Sequence, residues 1–182
     1  CDRGADTSEF IEHEANSGRT FLIRSSNNRN CFVGHEEIGE ARSTKLHDHA
    51  RGLPLLGTWE LQVAGKTEFK SKGRTGKKEH VTRKKRTATM AVSSGPVQLK
   101  VSRSKKAAPV CAWVVRVWEV NPSADQERLE WFLITNHPVQ TFEDAYEVVG
   151  WYEKRWVVEE YHKCLKTGMN IEGYQPAYRL DG

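Results

Sequence analysis

The stretch Trp151-Tyr152-Glu153-Lys154-Arg155-Trp156-Val157-Val158-Glu159-Glu160-Tyr161-His162-Lys163-Cys164-Leu165-Lys166-Thr167-Gly168 reads as one helix. Glycines flank it at Gly150 and Gly168, and Gly168 stands where a C-terminal cap is expected. At ~100° per residue, Tyr152, Arg155, Glu159, Lys163 and Lys166 fall within an arc of about 80°. Trp151, Val158, Tyr161 and Leu165 fall on the opposite side, which reads as the packing face. The polar side presents a carboxylate among three cations and a phenol. A carboxylate holds a divalent metal through hard oxygen ligation, and cations one turn away grip phosphates. The plainer account is a solvated face held by i,i+4 ion pairs such as Glu159 with Lys163.

The order is Tyr152, two residues, Arg155, three residues, Glu159, six residues, Lys166. This resembles the Tyr-Arg-Glu-Lys signature of bacterial DDE transposases of the insertion-sequence-four family, the transposon-five type above all. Four fixed residue types across fifteen positions are more specific than a short motif. Glu159-Glu160-Tyr161-His162-Lys163 and Lys166-Thr167-Gly168 continue the likeness. Upstream it covers Leu129-Glu130-Trp131-Phe132-Leu133-Ile134-Thr135 and Cys1-Asp2-Arg3-Gly4-Ala5-Asp6. Through the middle third it is weak.

The resemblance implies an α/β fold: a partial ribonuclease-H-like (retroviral-integrase-type) core with a large antiparallel β insertion. Residues 1–50 would begin the core at the second catalytic Asp. Residues 51–136 would form the β-rich insertion, and 137–182 the catalytic helix region that completes the core. Asp2 and Glu159 lie 157 positions apart, which is why the stretch between them reads as inserted.

It also implies a chemistry. Asp2 and Glu159, with a third carboxylate, would hold two Mg²⁺ or Mn²⁺ ions about 3.5–4 Å apart for in-line displacement at phosphorus. Tyr152, Arg155, Lys163 and Lys166 would position the strand and neutralise phosphate. Arg24 would touch DNA phosphate, with a plain surface arginine as the alternative. Trp131 lies 21 residues before Tyr152, the spacing at which transposon-five-type members stack a Trp on a flipped base. A core tryptophan in a strand is the alternative there. The implied activity is cut-and-paste hydrolysis and strand transfer at transposon ends. The implied partners are transposon-end and target DNA and, in the full-length protein, a second copy of the chain. A bacterial, cytoplasmic, nucleoid-associated setting without a membrane follows.

The family's first Asp should precede Asp2, and a chain opening at Cys1 without methionine reads as a fragment, expected to be inactive alone. Two other readings stand beside this one: a DNA-binding module without catalysis, and a metal-dependent nuclease without strand transfer.

Composition agrees with a chain that can bury a core, at 37% hydrophobic and 29% charged residues. No apolar run approaches membrane-spanning length, and the first residues show no signal-peptide pattern. Cys1, Cys31, Cys111 and Cys164 make neither a C-x-x-C pair nor a zinc spacing, and read as reduced thiols. The charge is uneven. Lys66 to Arg86 holds ten of the 28 basic residues and two of the 24 acidic ones, a local +8 against +4 for the whole chain. A solvated hairpin or a polyanion contact explains such a block, and the signature favours DNA.

Asp6 or Thr7 should cap a helix to about Ala15. A strand follows at Thr20–Arg24, and a helix is expected from Glu36 to His49. His47-Asp48-His49 lacks an i,i+4 His pair and reads as surface chemistry. The β-rich run should place strands at Thr58–Val63 and Arg86–Val92, with Val97–Val101 after a Ser94-Gly95-Pro96 turn. Val110–Val120 and Leu129–Thr135 should follow, with a hairpin tip at Gly73 and Gly76. Thr141 with Asp144 resembles a capping box before a helix from Phe142 to Val149.

Overall fold

The computed structural model describes residues 3–34, 42–63, 66–72, 77–83, 85–101, 108–122 and 128–155; for 66–72 and 77–83 it describes backbone pairing alone. Its centre is a long strand, β7 (Arg86–Leu99), paired along one edge with β8 (Val110–Glu119). Beyond β8 come β9 (Glu130–Thr135) and β1 (Leu22–Arg24). The other edge of β7 is shared. Its first half pairs with β4 (Leu55–Val63), and its last residues pair with β2 (Asn30–Val33), which carries β3 (Arg42–Lys45) outside it. A separate two-stranded ribbon joins β5 (Lys66–Lys72) to β6 (Lys77–Arg83).

Every pairing is antiparallel. The expected ribonuclease-H-like α/β core is therefore not the fold of the described chain, which is a mostly antiparallel β-sheet with few helices. The physical reason lies in the supposed insertion. Its valine-rich strands build the principal sheet themselves, and β1, β2 and β3 join that sheet as outer strands.

Helices cover both faces. On one side lie α1 (Ser8–Asn16) and α2 (Leu46–Arg51), over Ile23, Val97, Leu99, Ala112, Val114, Phe132 and Ile134. On the other lies α3 (Phe142–Glu153), over Met90, Val92, Val115, Val117 and Leu133. The split follows from strand alternation: in β9, Phe132 and Ile134 serve the first face and Leu133 the second. Each large side chain fully buried contributes roughly 1.5–3 kcal/mol. Asn136 closes the β1 edge, accepting from the Phe21 amide at 2.9 Å and donating to the Arg19 carbonyl at 2.8 Å. Burial pushes the Cys31 thiol up to about 11, so it remains a thiol.

Several local expectations hold. Thr7 caps α1, its hydroxyl accepting from the Phe10 amide at 3.2 Å. Thr141 and Asp144 form the capping box of α3. The strand expected before Ser25 is present as β1.

Others are corrected. Ser94-Gly95-Pro96 is no turn, because β7 runs straight through it. Pro96 falls where the edge opposite β8 passes from β4 to β2, so its missing N–H leaves no ladder bond unmade. Gly95 admits Leu53, whose Cδ2 would lie 2.6 Å from an added Cβ. The helix expected over 36–49 is β3 followed by α2, its first part lying outside the described residues. The glycine at 150 does not open a helix, since α3 runs through it and closes at Lys154. Residues 156–168 of the quoted stretch lie outside the described residues. Among the described residues no helix is long and apolar enough to cross a membrane.

Candidate nucleic-acid interface

α3 takes its orientation from the stripe Ala145, Val148, Val149 and Tyr152, all buried at helical spacing. Gly57 of β4 lets its start approach the sheet; an added Cβ there would lie 2.3 Å from the Phe142 ring. The stripe fixes the roles of the next residues. Tyr152, expected on the polar face, is 8% exposed and belongs to the core. Trp151, expected on the packing face, is 36% exposed and meets the His137 ring edge-on at 5.2 Å. Adjacent helical residues differ by ~100°, so a reading that started at Trp151 missed the upstream turns that set the stripe.

Of the eight residues singled out as catalytic or DNA-binding, Arg24, Trp131, Tyr152 and Arg155 are described; Asp2, Glu159, Lys163 and Lys166 lie outside the described residues. Three of the four come together. The half-buried Trp131 ring lies 6.2 Å from that of Tyr152, tilted by 51°. The Arg155 guanidinium carbon lies 5.5 Å from the centre of the Tyr152 ring. Arg24 is in register with Leu133, two residues from Trp131 on the same sheet face. Diagonal neighbours of that kind sit about 7–8 Å apart. An aromatic pair and a cation at its end thus share one area, whereas Arg24 lines the cleft with Ser25, Ser26 and His47. Aromatic rings with a cation beside them can stack a base and hold a phosphate. α3 carries Glu143, Glu147 and Glu153 on its exposed side, and Lys154 and Arg155 follow at its C-terminal end, where the helix dipole accommodates cations.

The opposite face carries a second polar assembly that the sequence did not reveal. Asp6 is fully buried and pairs with Arg29, and its Oδ2 accepts from the amides of Ser26 at 2.7 Å and Asn27 at 2.9 Å. Ser25 Oγ lies 3.0 Å from His47 Nε2, and the His47 ring stacks on Phe132 at 4.0 Å. His47 is thus a packed residue, not surface chemistry. Beside it, Glu130 takes Arg116 on Oε1 at 2.9 Å and Arg51 on Oε2 at 3.0 Å. Burial works against the Glu130 carboxylate, but the two arginines outweigh it and hold its pKa below the ordinary value. Burial, with the nearby Arg51 charge, keeps His47 below its ordinary value against the pull of Asp6, Glu130 and Asp48. The end of β1 at Arg24, Ser25, Ser26, His47, Glu130 and Phe132 line a cleft of about 230 Å³. With its charges compensated internally, it is built to hold the fold. The only sequence signal for it was the polar composition of the 25–30 loop.

Among the described residues no three His, Cys, Asp or Glu side chains are grouped to hold a metal ion; the expected ligands Asp2 and Glu159 are not among them. No family model matches the chain.

Proposed function

We propose that this chain is part of a DNA transposase that acts at transposon ends by metal-dependent phosphodiester hydrolysis and strand transfer. The observation that carries the reading is that Trp131, singled out by one signal, lies against Tyr152 and Arg155, which belong to another, as a tilted aromatic pair with a cation beside it. The Tyr-Arg-Glu-Lys spacing that continues through Glu159 and Lys166 supports it. On this reading Trp131 stacks on an unpaired base near the cleaved end. Arg155 and Arg24 neutralise the adjoining phosphates, and Tyr152 fixes the Trp131 ring from the core side. Lys163 and Lys166 extend the phosphate contacts along the strand. Asp2 and Glu159 are the proposed ligands of Mg²⁺ or Mn²⁺, which would supply charge stabilisation at the reacting phosphorus.

A DNA-binding module without catalysis is the second reading. It is favoured by the antiparallel sheet, a platform that binds nucleic acid without any metal centre. The full-length product of the gene, incubated with Mn²⁺ and DNA bearing the element's ends, separates the two. Nicks and hairpins formed by the native protein and lost in Glu159→Gln, with DNA affinity kept, support the transposase. Equal cleavage by both proteins overturns the role of Glu159. Tight binding without cleavage by either leaves the binding module.

A further inference from the structure

A cavity of about 390 Å³ lies where the start of α1, the loop between β1 and β2, and the ends of β2 and β7 meet. Asp6, Ser8, Asn27, Arg29, Asn30 and Lys100 line it. The register that puts Cys31 opposite Leu99 brings Asn30, at the start of β2, level with Lys100, just past the end of β7. The Asp6–Arg29 pair ties the loop to the residue before the Thr7 cap, and Ser8 enters as the first residue of α1.

Asp6 is the only carboxylate in that lining, and its oxygens are taken. Oδ1 accepts from Arg29, and Oδ2 from the amides of Ser26 and Asn27. The Asp6 carbonyl accepts from Arg29 Nη2 at 3.0 Å and Asn27 Nδ2 at 3.1 Å. A metal cation would therefore find no open carboxylate oxygen. The donors are in the opposite condition. Arg29 bonds through Nη2 alone; Nη1 has no hydrogen-bond partner among the described residues, and Nε is buried without one. Buried polar atoms are normally bonded, and an orphaned one calls for a partner that the protein does not supply. Lys100 is exposed and makes no ion pair, and the Ser8 hydroxyl and the Asn30 side-chain amide make no hydrogen bond with the described residues.

Two cations against one saturated carboxylate leave the lining positive, and its unpaired groups are donors. Asp6 holds the guanidinium in place before any ligand arrives, which suits the planar arginine fork to an oxyanion. The volume exceeds that of one phosphate and falls in the range of small-ligand sites, about 300–1,000 Å³. We propose that this cavity binds a phosphate group, with Arg29 and Lys100 as its cations and Ser8 and Asn30 as its neutral donors. The phosphate belongs to a small molecule or to a nucleic-acid strand. The site is separate from the Trp131 stack. Trp131 is in register with Val117, and Val117 with Val92, eight residues before Lys100 and about 27 Å away along β7.

The test is isothermal titration calorimetry of the full chain at fixed ionic strength. The titrants are inorganic phosphate, a nucleoside 5′-monophosphate and a short single-stranded oligonucleotide. Saturable binding of at least one is expected. Lys100→Gln should weaken it about tenfold, the scale of one lost hydrogen bond to a charged group. Lys100 is exposed, so the substitution leaves the fold intact, and Lys100→Arg should restore binding. Lys45→Gln is the control: Lys45 is opposite Asn30 in β3, exposed, and outside the lining. It removes the same charge and should leave the affinity unchanged. Binding of phosphate or the nucleotide, weakened in Lys100→Gln, assigns a small molecule and upholds the site even if DNA is not bound. Binding of the oligonucleotide alone, weakened in the same variant, assigns a nucleic-acid strand. No saturable binding of any titrant overturns the site, as does an equal effect of Lys100→Gln and Lys45→Gln. Oligonucleotide binding that is lost in Trp131→Ala and unchanged in Lys100→Gln overturns it too, and leaves the DNA reading standing.

Discussion

Both faces of the sheet bury an apolar core, and they differ in how many polar ties are added to it. Under α1 and α2 the face is tied by charges whose partners are far apart in the chain: Asp6 with Arg29, Arg51 and Arg116 with Glu130, and Ser25 with His47. Under α3 it is filled by volume, with Met90, Val92, Val115, Val117 and Leu133 beneath Ala145, Val148, Val149 and Tyr152. An ion pair between Arg86 and Glu119 stands at the end of β8, and aromatic rings of Trp59, Phe142 and Tyr146 gather over β4. A face held by paired charges fails when one partner is removed. A face held by volume fails when space is lost or added. The candidate DNA site lies on the second, where rings can shift without leaving a charge unpaired.

The largest expected effect tests the first kind. Asp6→Ala leaves Arg29 and two backbone amides without their acceptor in a site where the carboxylate is fully buried. Breaking a buried pair from one side costs about 3–5 kcal/mol, to be read from the urea midpoint. A loss below about 1 kcal/mol, the scale of an exposed pair, would mean that the network does not secure this face.

Next come two glycines that differ in what a methyl would meet. At Gly57 it meets the Phe142 ring at 2.3 Å, and at Gly95 the end of the Leu53 side chain at 2.6 Å. Overpacking costs typically about 1–3 kcal/mol, and Gly57→Ala should lie in that range. Gly95→Ala should cost less, because a leucine terminus moves aside more readily than a ring held by a helix start. Adding Phe142→Leu should recover part of the Gly57→Ala loss in a double-mutant cycle. Equal costs at the two glycines would show that α3 is not seated more firmly than the Leu53 loop.

What was legible in the residues follows the same division. The strands of the β-rich run, the Thr7 cap and the Thr141–Asp144 box were readable because each is a local pattern. Trp131 and Tyr152 were singled out by the family resemblance, and the stripe of α3 puts Tyr152 in the core and not on the polar face. The fold class was not readable in this way. It was carried over from a likeness strongest at the chain's two ends, and the weakly matching middle forms the sheet. The Asp6 and His47 assemblies were hidden because partners 20 or more residues apart have no periodicity. Pro96 misled because a proline normally ends a strand, and only the change of partner along β7 makes room for it.

The Trp131 stack adds a functional contrast between the faces. Trp131→Ala should weaken binding to DNA with an unpaired terminal base by about 1–3 kcal/mol, the usual worth of one base–aromatic stack. Arg116→Ala, on the other face, should cost stability while leaving the affinity of the folded protein unchanged. Anisotropy titration well below the melting temperature distinguishes these. An equal loss of affinity in both variants would mean that the α1/α2 face also meets DNA.

Acid should separate the faces by the smallest margin. His47 and His49 both lie in α2, and burial is the leading cause that lowers each below its ordinary 6.5. A depressed histidine contributes stability that is fully present above pH 6.5 and declines as pH falls below it, because the unfolded chain takes the proton first. Groups around α3 titrate later. The Arg86 hydrogen bond holds the Glu119 carboxyl below 4.5, and the amides of Thr141 and Gln140 hold that of Asp144 below 3.8. Each carboxylate contributes stability present above its ordinary value and lost as pH falls through the lower folded one. Glu130, clamped by Arg51 and Arg116, follows the same rule on the α2 side. Between pH 6.5 and 4.5 the loss should therefore be confined to the α1/α2 face. Hydrogen exchange, corrected for its intrinsic pH dependence, should quicken in α2 before α3 across that interval. His47→Gln should reduce the difference, since glutamine carries no proton to gain while its amide can still reach Ser25. Simultaneous loosening of both helices would mean that the two faces open as one unit, and that the charges of the first are coupled through the sheet to the packing of the second.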